Sequence, residues 1–213
     1  MKALFEKYKH AWVFLYVLIY LPWFFYLEKQ VTYNFNLVQT SLDYKIPLLE
    51  IFIIPYLLWF LFVASTVAYF FFKDRQEFYR LAIFLAIGMT LFLIICTLWP
   101  NGHTLRPQYY ERDNILVDLV KRLHTTDTPT NVFPSIHVYN SLACYVAVRN
   151  SRHLKNKKWI QIITFALTAS IILSTMFLKQ HSFIDVIGAG VFALVAYYFV
   201  YASEARMVQM QLE

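Results

Sequence analysis

Three ionisable side chains lie within the seven residues KQHSFID, positions 179 to 185, where an apolar run begins that continues to about Ala202. Their types and spacing suit acid–base and nucleophilic chemistry. His181 and Asp185 are four residues apart, so on a helix they share a face, and the carboxylate can accept a hydrogen bond from one ring nitrogen. The other nitrogen then keeps its lone pair and can act as a nucleophile or a base.

A second histidine, an arginine and a serine extend this group to one that can handle phosphate. His137 can supply the complementary acid, because histidine changes charge near neutral pH. Arg106 offers a planar fork of donors that suits phosphate oxygens. Ser135 follows Pro134 at an expected helix start, where its hydroxyl and the first free backbone N–H groups favour an anion. Together these residues predict phosphoryl transfer through a phosphohistidine, in which positioned proton transfer contributes roughly 100- to 10,000-fold.

The same residues also have structural interpretations. A His/Asp pair at a helix end can be an interfacial hydrogen bond, and Pro-Ser before a helix is an ordinary start signal with serine as the cap. A zinc site formed by His137, His181 and Asp185 is possible by ligand type, but no cysteine joins it and the HxxxD spacing is weak evidence, so phosphate is preferred. Glu50, near the start of the second apolar run, fits a helix-packing contact and a site contribution equally.

Four other histidines have no partner at a suggestive spacing and are interpreted as surface or loop residues: His10, His103, His124 and His153. Two of them, His103 and His124, share a polar connection with Arg106, which leaves a minor role in the site open.

The composition predicts an integral membrane protein of the all-α class. Hydrophobic residues make up 59% of the chain and charged residues only 15%. A bilayer-spanning helix needs about 20 mostly apolar residues. Six segments approach this: 11–27, 46–72, 81–99, 132–148, 159–178 and 183–203. The fourth is the most diluted by polar side chains. Since no repeat or flexible linker interrupts them, residues 1–213 are interpreted as one six-helix bundle domain, with Cys96 and Cys144 as packing residues inside spans.

The basic residues predict which ends of these helices face the cytoplasm. With the N-terminus inside, the tails and the two inner connections hold 12 of the 19 lysine and arginine residues. Both termini are then cytoplasmic, and the polar cluster of Arg106, His137, Lys179, His181 and Asp185 meets at the extracytoplasmic face. Ionisable groups near membrane depth usually face the bundle interior or water, which marks this cluster as functional. A nucleic-acid partner is disfavoured, because no long soluble basic face exists.

Three segments resemble the signature motifs of the type 2 phosphatidic acid phosphatase family, membrane relatives of the vanadium haloperoxidases: TLRP at 104–107, FPSIHV at 133–138 and STMFLKQHSFID at 174–185. Their order and separations match the family. The resemblance implies that His181 is the nucleophile, Asp185 its orienting partner, and His137 the acid that protonates the leaving alcohol. It assigns phosphate binding to Arg106 and Ser135, and it implies a reaction without metal or organic cofactor on lipid phosphates or pyrophosphates.

The chain departs from the family pattern at three positions. Trp99 stands where the first motif has lysine, Ile136 where the second motif usually has glycine, and Thr175 where the third motif has arginine. Lys179 is predicted to replace part of the missing positive charge at the phosphate, with Lys121 or Arg122 as alternatives; Lys179 also fits a headgroup contact made by snorkelling. Asp127 either orients the second motif or, as we prefer, caps a turn.

These observations predict a multi-pass cell-membrane enzyme that hydrolyses a lipid phosphate. Its predicted partners are that lipid and the bilayer, and the motifs indicate no oligomeric state. Two other functions fit the residues. The FPSIH form and the third motif without arginine are similar to the inositol phosphorylceramide synthase branch, in which the phosphorylated head group passes to an alcohol instead of water. A non-catalytic lipid-binding or transport module would use the same polar cluster to hold a head group.

Overall fold

The computed structural model describes residues 6–30 and 34–202, and seven α-helices account for most of them. A 3-10 stretch, Lys9–Tyr16, leads into the first helix, another, Glu50–Phe52, precedes the second, and a π-helical turn, Tyr198–Ala202, follows the last. The helices are α1 (Val17–Gln30), α2 (Ile53–Lys73), α3 (Arg75–Leu98), α4 (Ile115–Thr126), α5 (Ile136–Asn150), α6 (Lys158–Phe177) and α7 (Phe183–Tyr197).

Five helical segments are long and apolar enough to cross a membrane: Glu6–Gln30, Glu50–Lys73, Arg75–Leu98, Lys158–Phe177 and Phe183–Tyr201. They correspond to the first, second, third, fifth and sixth predicted spans, so the all-helical membrane architecture is confirmed. Large apolar side chains such as Leu61, Phe72 and Leu194 are exposed on their outer faces. Such faces are stable only against lipid, because apolar surface of this extent is costly in water.

The predicted fourth span is α5, and it differs from the other five. It has 15 residues, which corresponds to about 22 Å, less than the roughly 30 Å of the hydrocarbon core. It begins at Ile136 rather than Val132, with Ser135 as its N-cap, and the backbone N–H groups of Val132 and Phe133 bind the Asn101 side chain. Because α5 packs against α2, α3, α6 and α7, its polar residues contact protein rather than lipid.

The main core surrounds α5. Its buried members include Phe70, Phe78, Phe84, Tyr139 and Cys144, which come from α2, α3 and α5. The Tyr139 hydroxyl donates to the Phe84 carbonyl at 2.9 Å, so the one polar atom of this ring is satisfied inside the core. Cys96 and Cys144 are both buried and unpaired, which confirms the prediction that they are packing residues.

The connections at one end of the bundle form a cap whose backbone is held together by hydrogen bonds. Strand β1 (Asn36–Leu37) pairs in parallel with β2 (Asn101–Gly102), and Gly102 forms an antiparallel bridge with Thr130. The 100–131 connection, expected to be a loop, contains the amphipathic helix α4, whose Val117 and Val120 are buried. This cap supplies the residues that meet the starts of α5 and α7.

Candidate active site

The two histidines singled out in the sequence meet at this capped end of the bundle. His137 lies in the first turn of α5, and His181 lies between α6 and α7. Their ring centroids are 5.7 Å apart. The two motifs are also joined through the backbone, since the Ser135 N–H donates to the Asp185 carbonyl at 3.3 Å. A single small group can therefore contact both imidazoles.

A buried carboxylate orients the His181 ring. Asp185 is fully buried, and its Oδ2 lies 3.3 Å from His181 Nδ1. The same oxygen accepts the Ser182 N–H at 2.8 Å, while Ser182 caps α7, so the two residues form a capping box. This local motif places Asp185 one turn from His181. A proton on Nδ1 then leaves the lone pair on Nε2.

The surroundings of His181 keep its ring neutral. Burial lowers the pKa of His181 to about 3, and the nearby charge of Arg106 acts in the same direction, while a backbone hydrogen bond with Val132 opposes them. A neutral imidazole retains the lone pair that a nucleophile requires.

His137 is held by aromatic rings rather than by hydrogen bonds. Its ring stacks on Tyr56 with a centroid distance of 4.7 Å and lies 4.4 Å from the ring of Trp59. Both aromatic residues come from α2. Among the described residues, nothing hydrogen-bonds the buried Nδ1 of His137. The sequence offered no signal for this pair, because the aromatic residues of α2 are indistinguishable from ordinary membrane-facing ones.

Arg106 is close to the site but is largely occupied by the protein itself. Its Nη1 donates to the carbonyls of His124 and Asp127 at 2.9 and 2.6 Å. Its Nη2 donates to the Thr128 carbonyl at 3.2 Å and to Gln180 Oε1 at 2.7 Å. Its buried Nε has no hydrogen-bond partner among residues 6–30 and 34–202. The Arg106 guanidinium therefore binds protein groups of the cap and of Gln180. Its direct contact with phosphate stays a prediction.

The other two predicted phosphate ligands also bind protein groups. Ser135 is the N-cap of α5, and its Oγ accepts the Val138 N–H at 3.4 Å. This is the helix-capping role that the sequence offered as the structural alternative to phosphate binding. The ammonium of Lys179 donates to the carbonyls of Asp43, at 2.6 Å, and Ile46. Because Lys179 is only 8% exposed, it does not snorkel to the surface. The side-chain hydrogen bonds that it makes in the described part of the chain go to these carbonyls and not to the histidine pair.

A small cavity of about 50 Å³ lies against the two imidazoles. Gln180, Glu28 and Asp127 contribute polar groups to its wall. Glu28, at the end of α1, accepts hydrogen bonds from Thr128 Oγ1 at 2.7 Å and Asn131 Nδ2 at 3.1 Å. Neither Glu28 nor Gln180 lies in a recognisable spacing, so the sequence gives no signal for them. Asp127 was interpreted as a turn cap; it ends α4, but it also reaches the cavity.

Of the histidines predicted to be surface or loop residues, His103 does lie in a loop, whereas His10 lies in a 3-10 stretch and His124 in α4. None of these three side chains is exposed. His10 and His103 are only 3% and 1% exposed. His103 Nδ1 accepts the Leu105 N–H, so its Nε2 carries the proton and donates to the Gln180 carbonyl at 2.9 Å. His124 Nε2 lies 2.8 Å from the Leu178 carbonyl. His103 and His124 thus support the segment that carries His181.

Glu50 is a structural contact. Its Oε1 accepts from Asn114 Nδ2 at 3.0 Å and its Oε2 lies 3.0 Å from Arg112 Nη2, so it joins α2 to the start of α4. It does not line the cavity between the histidines.

The zinc alternative lacks a matching ligand geometry. Within residues 6–30 and 34–202, the group of three side chains close enough to share one ion is Asp74, Glu77 and His153, none of which belongs to the predicted site. In that group, Arg152 Nη2 donates to Asp74 Oδ2 at 2.7 Å, so this carboxylate already has a cationic partner.

Acid is expected to destabilise the fold through these buried histidines. Burial is the main cause that lowers the pKa of His103 and His181 to about 3 and that of His124 to about 4. Below pH 6.5 the unfolded chain binds protons that the folded chain does not, so stability falls as the pH drops from about 6.5 to 4. Asp127 opposes this, because burial raises its pKa to about 6.

The three histidines lower the free energy of unfolding as the pH drops, and the one carboxyl raises it, so the net effect is that of about two groups. At about 1.4 kcal/mol per group and pH unit, the free energy of unfolding falls by at most about 3 kcal/mol per pH unit. The Tm of the detergent-solubilised protein should therefore be clearly lower at pH 5 than at pH 7. A Tm that is equal or higher at pH 5 would contradict the burial of neutral imidazoles.

Comparison with known proteins finds a family match for the part of the chain that carries this site. Residues 102–207 match the family model described as the PAP2 superfamily. The matched segment begins in the cap and includes α4, α5, α6 and α7, and so it contains Arg106 and both histidines. No curated protein and no solved structure matches the chain.

Proposed function

Because the chain belongs to the PAP2 superfamily, we propose that it is a membrane phosphatase that hydrolyses a lipid phosphate through a phosphohistidine at His181. The observation that carries the proposal is the pairing of two imidazoles at one cavity, with only one of them bound to a buried carboxylate. This asymmetry suits two roles, since a nucleophile needs an orienting partner and an acid must be free to exchange its proton.

The reaction has two steps. The Nε2 lone pair of His181 attacks phosphorus, the bond from phosphorus to the lipid oxygen breaks, and that oxygen takes a proton from His137. His137 then removes a proton from water, the water oxygen bonds to phosphorus, and the bond from phosphorus to Nε2 breaks, which releases inorganic phosphate. Asp185 stabilises the positive charge that His181 acquires in the first step.

The test uses purified protein in detergent with a short-chain phosphatidate. We expect phosphate release in the presence of EDTA and, after rapid quenching, a labelled protein adduct with the acid lability and alkali stability of phosphohistidine. Adding an alcohol acceptor such as diacylglycerol or inositol separates hydrolysis from transfer, because only a transferase forms a new phosphoester. If the protein binds lipid phosphate, yet yields no phosphate, no transfer product and no adduct, the binding-module alternative is correct.

We also place the site at the extracytoplasmic face. The support is that α5 begins at the site and ends at the 151–157 connection, beside the cluster of Arg149, Arg152, Lys155, Lys157 and Lys158. In intact cells, an impermeant maleimide should label Tyr109→Cys, since Tyr109 is 86% exposed in the cap, but not Lys155→Cys. The two native cysteines are buried and give a low background. Labelling of Lys155→Cys alone would reverse the orientation.

A glycine of α7 is expected to be critical for the second motif. A Cβ at position 188 would lie 2.4 Å from Phe133 Cε2, next to the segment that leads into α5, whereas a Cβ at Gly190 would have no atom within 4 Å. Gly188→Ala should displace Phe133 and, with it, Ser135 and His137, and lower kcat/KM by about 10- to 100-fold. Gly190→Ala is the matched control and should keep wild-type activity. Equal activities of the two variants would show that Phe133 can move without disturbing the site.

A further inference from the structure

Gln180 lines the cavity beside the two histidines, and its side-chain donor has no partner in the described part of the chain. The residue is 3% exposed and lines the cavity together with His137 and His181. Its Nε2 is buried, and within the described part of the chain nothing accepts a hydrogen bond from it. Buried amide nitrogens almost always find an acceptor, so this one points to a group that binds there.

The orientation of this amide is determined by its neighbour. Arginine can only donate hydrogen bonds, so the Gln180 atom 2.7 Å from Arg106 Nη2 must be the carbonyl oxygen. The amino group therefore points to the other side. The backbone is equally constrained, because Gln180 N–H donates to the Thr175 carbonyl at 2.9 Å and the Gln180 carbonyl binds His103.

This position corresponds to a departure noted in the sequence. Thr175 occupies the place of the motif arginine, and its carbonyl accepts from the N–H groups of both Gln180 and His181. The backbone of this turn therefore joins the position of the motif arginine to Gln180, whose side chain is a neutral donor.

The charges around the cavity are consistent with a weakly charged ligand. Arg106 is a cation bonded to the cavity wall, through the Gln180 side chain and through the carbonyls of Asp127 and Thr128. Glu28 and Asp127 are carboxyl groups in its wall, and their hydrogen-bond partners there, Thr128, Asn131 and Tyr56, are neutral. A phosphate monoester carries nearly two negative charges at pH 7, because its second pKa is about 6, whereas a phosphodiester carries one.

We propose that Gln180 donates a hydrogen bond to a phosphate oxygen of the substrate in place of the absent motif cations, and that this neutral donor makes the site selective for singly charged phosphate esters. The proposal rests on the proposed phosphohistidine function. With a phosphodiester lipid, His181 Nε2 bonds to phosphorus, the bond to the diacylglycerol oxygen breaks, and that oxygen takes the proton from His137. Water then gives a proton to His137 and bonds to phosphorus, and the bond from phosphorus to Nε2 breaks, which releases the head-group phosphate.

Two short-chain lipids with the same acyl chains test the charge selection: phosphatidate, a monoester, and phosphatidylglycerol, a diester. Both release diacylglycerol, which is the quantity measured. At pH 7.5 we expect kcat/KM to be at least tenfold higher for the diester. The ratio of diester to monoester should fall as the pH is lowered from 7.5 to 5.5, where the monoester becomes singly charged. A monoester preference at pH 7.5, or a ratio independent of pH, overturns the charge selection.

Gln180→Glu separates donation to phosphate from support of Arg106. Glutamate keeps an acceptor for Arg106 but replaces the amino donor by an oxygen that repels phosphate. We expect kcat/KM to fall at least 100-fold, and further for the monoester than for the diester. A purely supporting role predicts activity within threefold of wild type, which would overturn the proposal. The matched control is Gln76→Glu, an exposed glutamine whose Oε1 also accepts from an arginine, Arg152, at 3.3 Å, and which should behave as wild type.

A failure of the proposed phosphohistidine function can be distinguished from a failure of the Gln180 proposal. If wild-type protein releases diacylglycerol from neither lipid and forms no adduct, the phosphohistidine chemistry itself is wrong. Binding of inorganic phosphate, followed by phosphorus NMR, then still tests Gln180: Gln180→Glu should weaken it at least tenfold, and unchanged binding overturns the donor role.

Discussion

His181→Ala is expected to lower kcat/KM for lipid phosphate by at least about 10⁴-fold, because it removes the atom that takes the phosphoryl group. The His181 ring hydrogen-bonds the Asp185 side chain and the Val132 backbone, and neither bond is part of a helix backbone. Its removal should therefore leave the helices in place, and the Tm should change little. The labelled adduct should disappear together with the activity, since no other residue at the cavity has both a free lone pair and an orienting carboxylate.

The control is His153→Ala. His153 is exposed and lies at the opposite end of the bundle, 3.2 Å from Asp74, so the same substitution there should keep both activity and adduct. A His181→Ala variant that folds and retains more than a tenth of wild-type kcat/KM would show that the nucleophile is a different group. His137→Ala would then be the next variant to examine for loss of the adduct.

Asp185→Asn is expected to lower kcat by about 10²- to 10⁴-fold with little change in KM. The amide oxygen can still accept the Ser182 N–H, so the cap of α7 survives. The negative charge that favours a proton on Nδ1 and stabilises the positively charged ring is lost, and removal of this charge from comparable catalytic groups has effects of that size. Pre-steady-state quenching should show slower formation of the adduct, which assigns the loss to the first step.

Asp43→Asn provides the matched comparison. Asp43 is also buried and also binds the start of α7, since it accepts from Ser182 Oγ and the Phe183 N–H, both at 2.8 Å, but it makes no contact with His181. We expect a lower Tm and a kcat within tenfold of wild type. Equal losses of kcat in the two variants would show that Asp185 acts only by holding the helix start.

The amino-acid sequence by itself determined the features that depend on local pattern. Apolar runs of sufficient length predict spanning helices wherever they occur, because the bilayer requires every backbone group to be bonded within the segment. The pairing of His181 with Asp185 follows from a spacing of four residues and a capping box, both of which act within one turn. The order of the three motifs identified the family, which the match over residues 102–207 confirms.

Only the tertiary structure decided which partner each polar side chain has. Arg106 and Lys179 are cations suited to phosphate, yet both bind backbone carbonyls, at sequence separations from 18 to 136 residues, that chain folding brings to them. A residue type states what a group can bind, but the packed neighbours decide what it does bind. The same reason applies to α5, which is too polar for lipid yet is surrounded by helices. It applies also to Gln180, whose unpartnered side-chain nitrogen becomes visible only once its contacts with Arg106 and His103 are known.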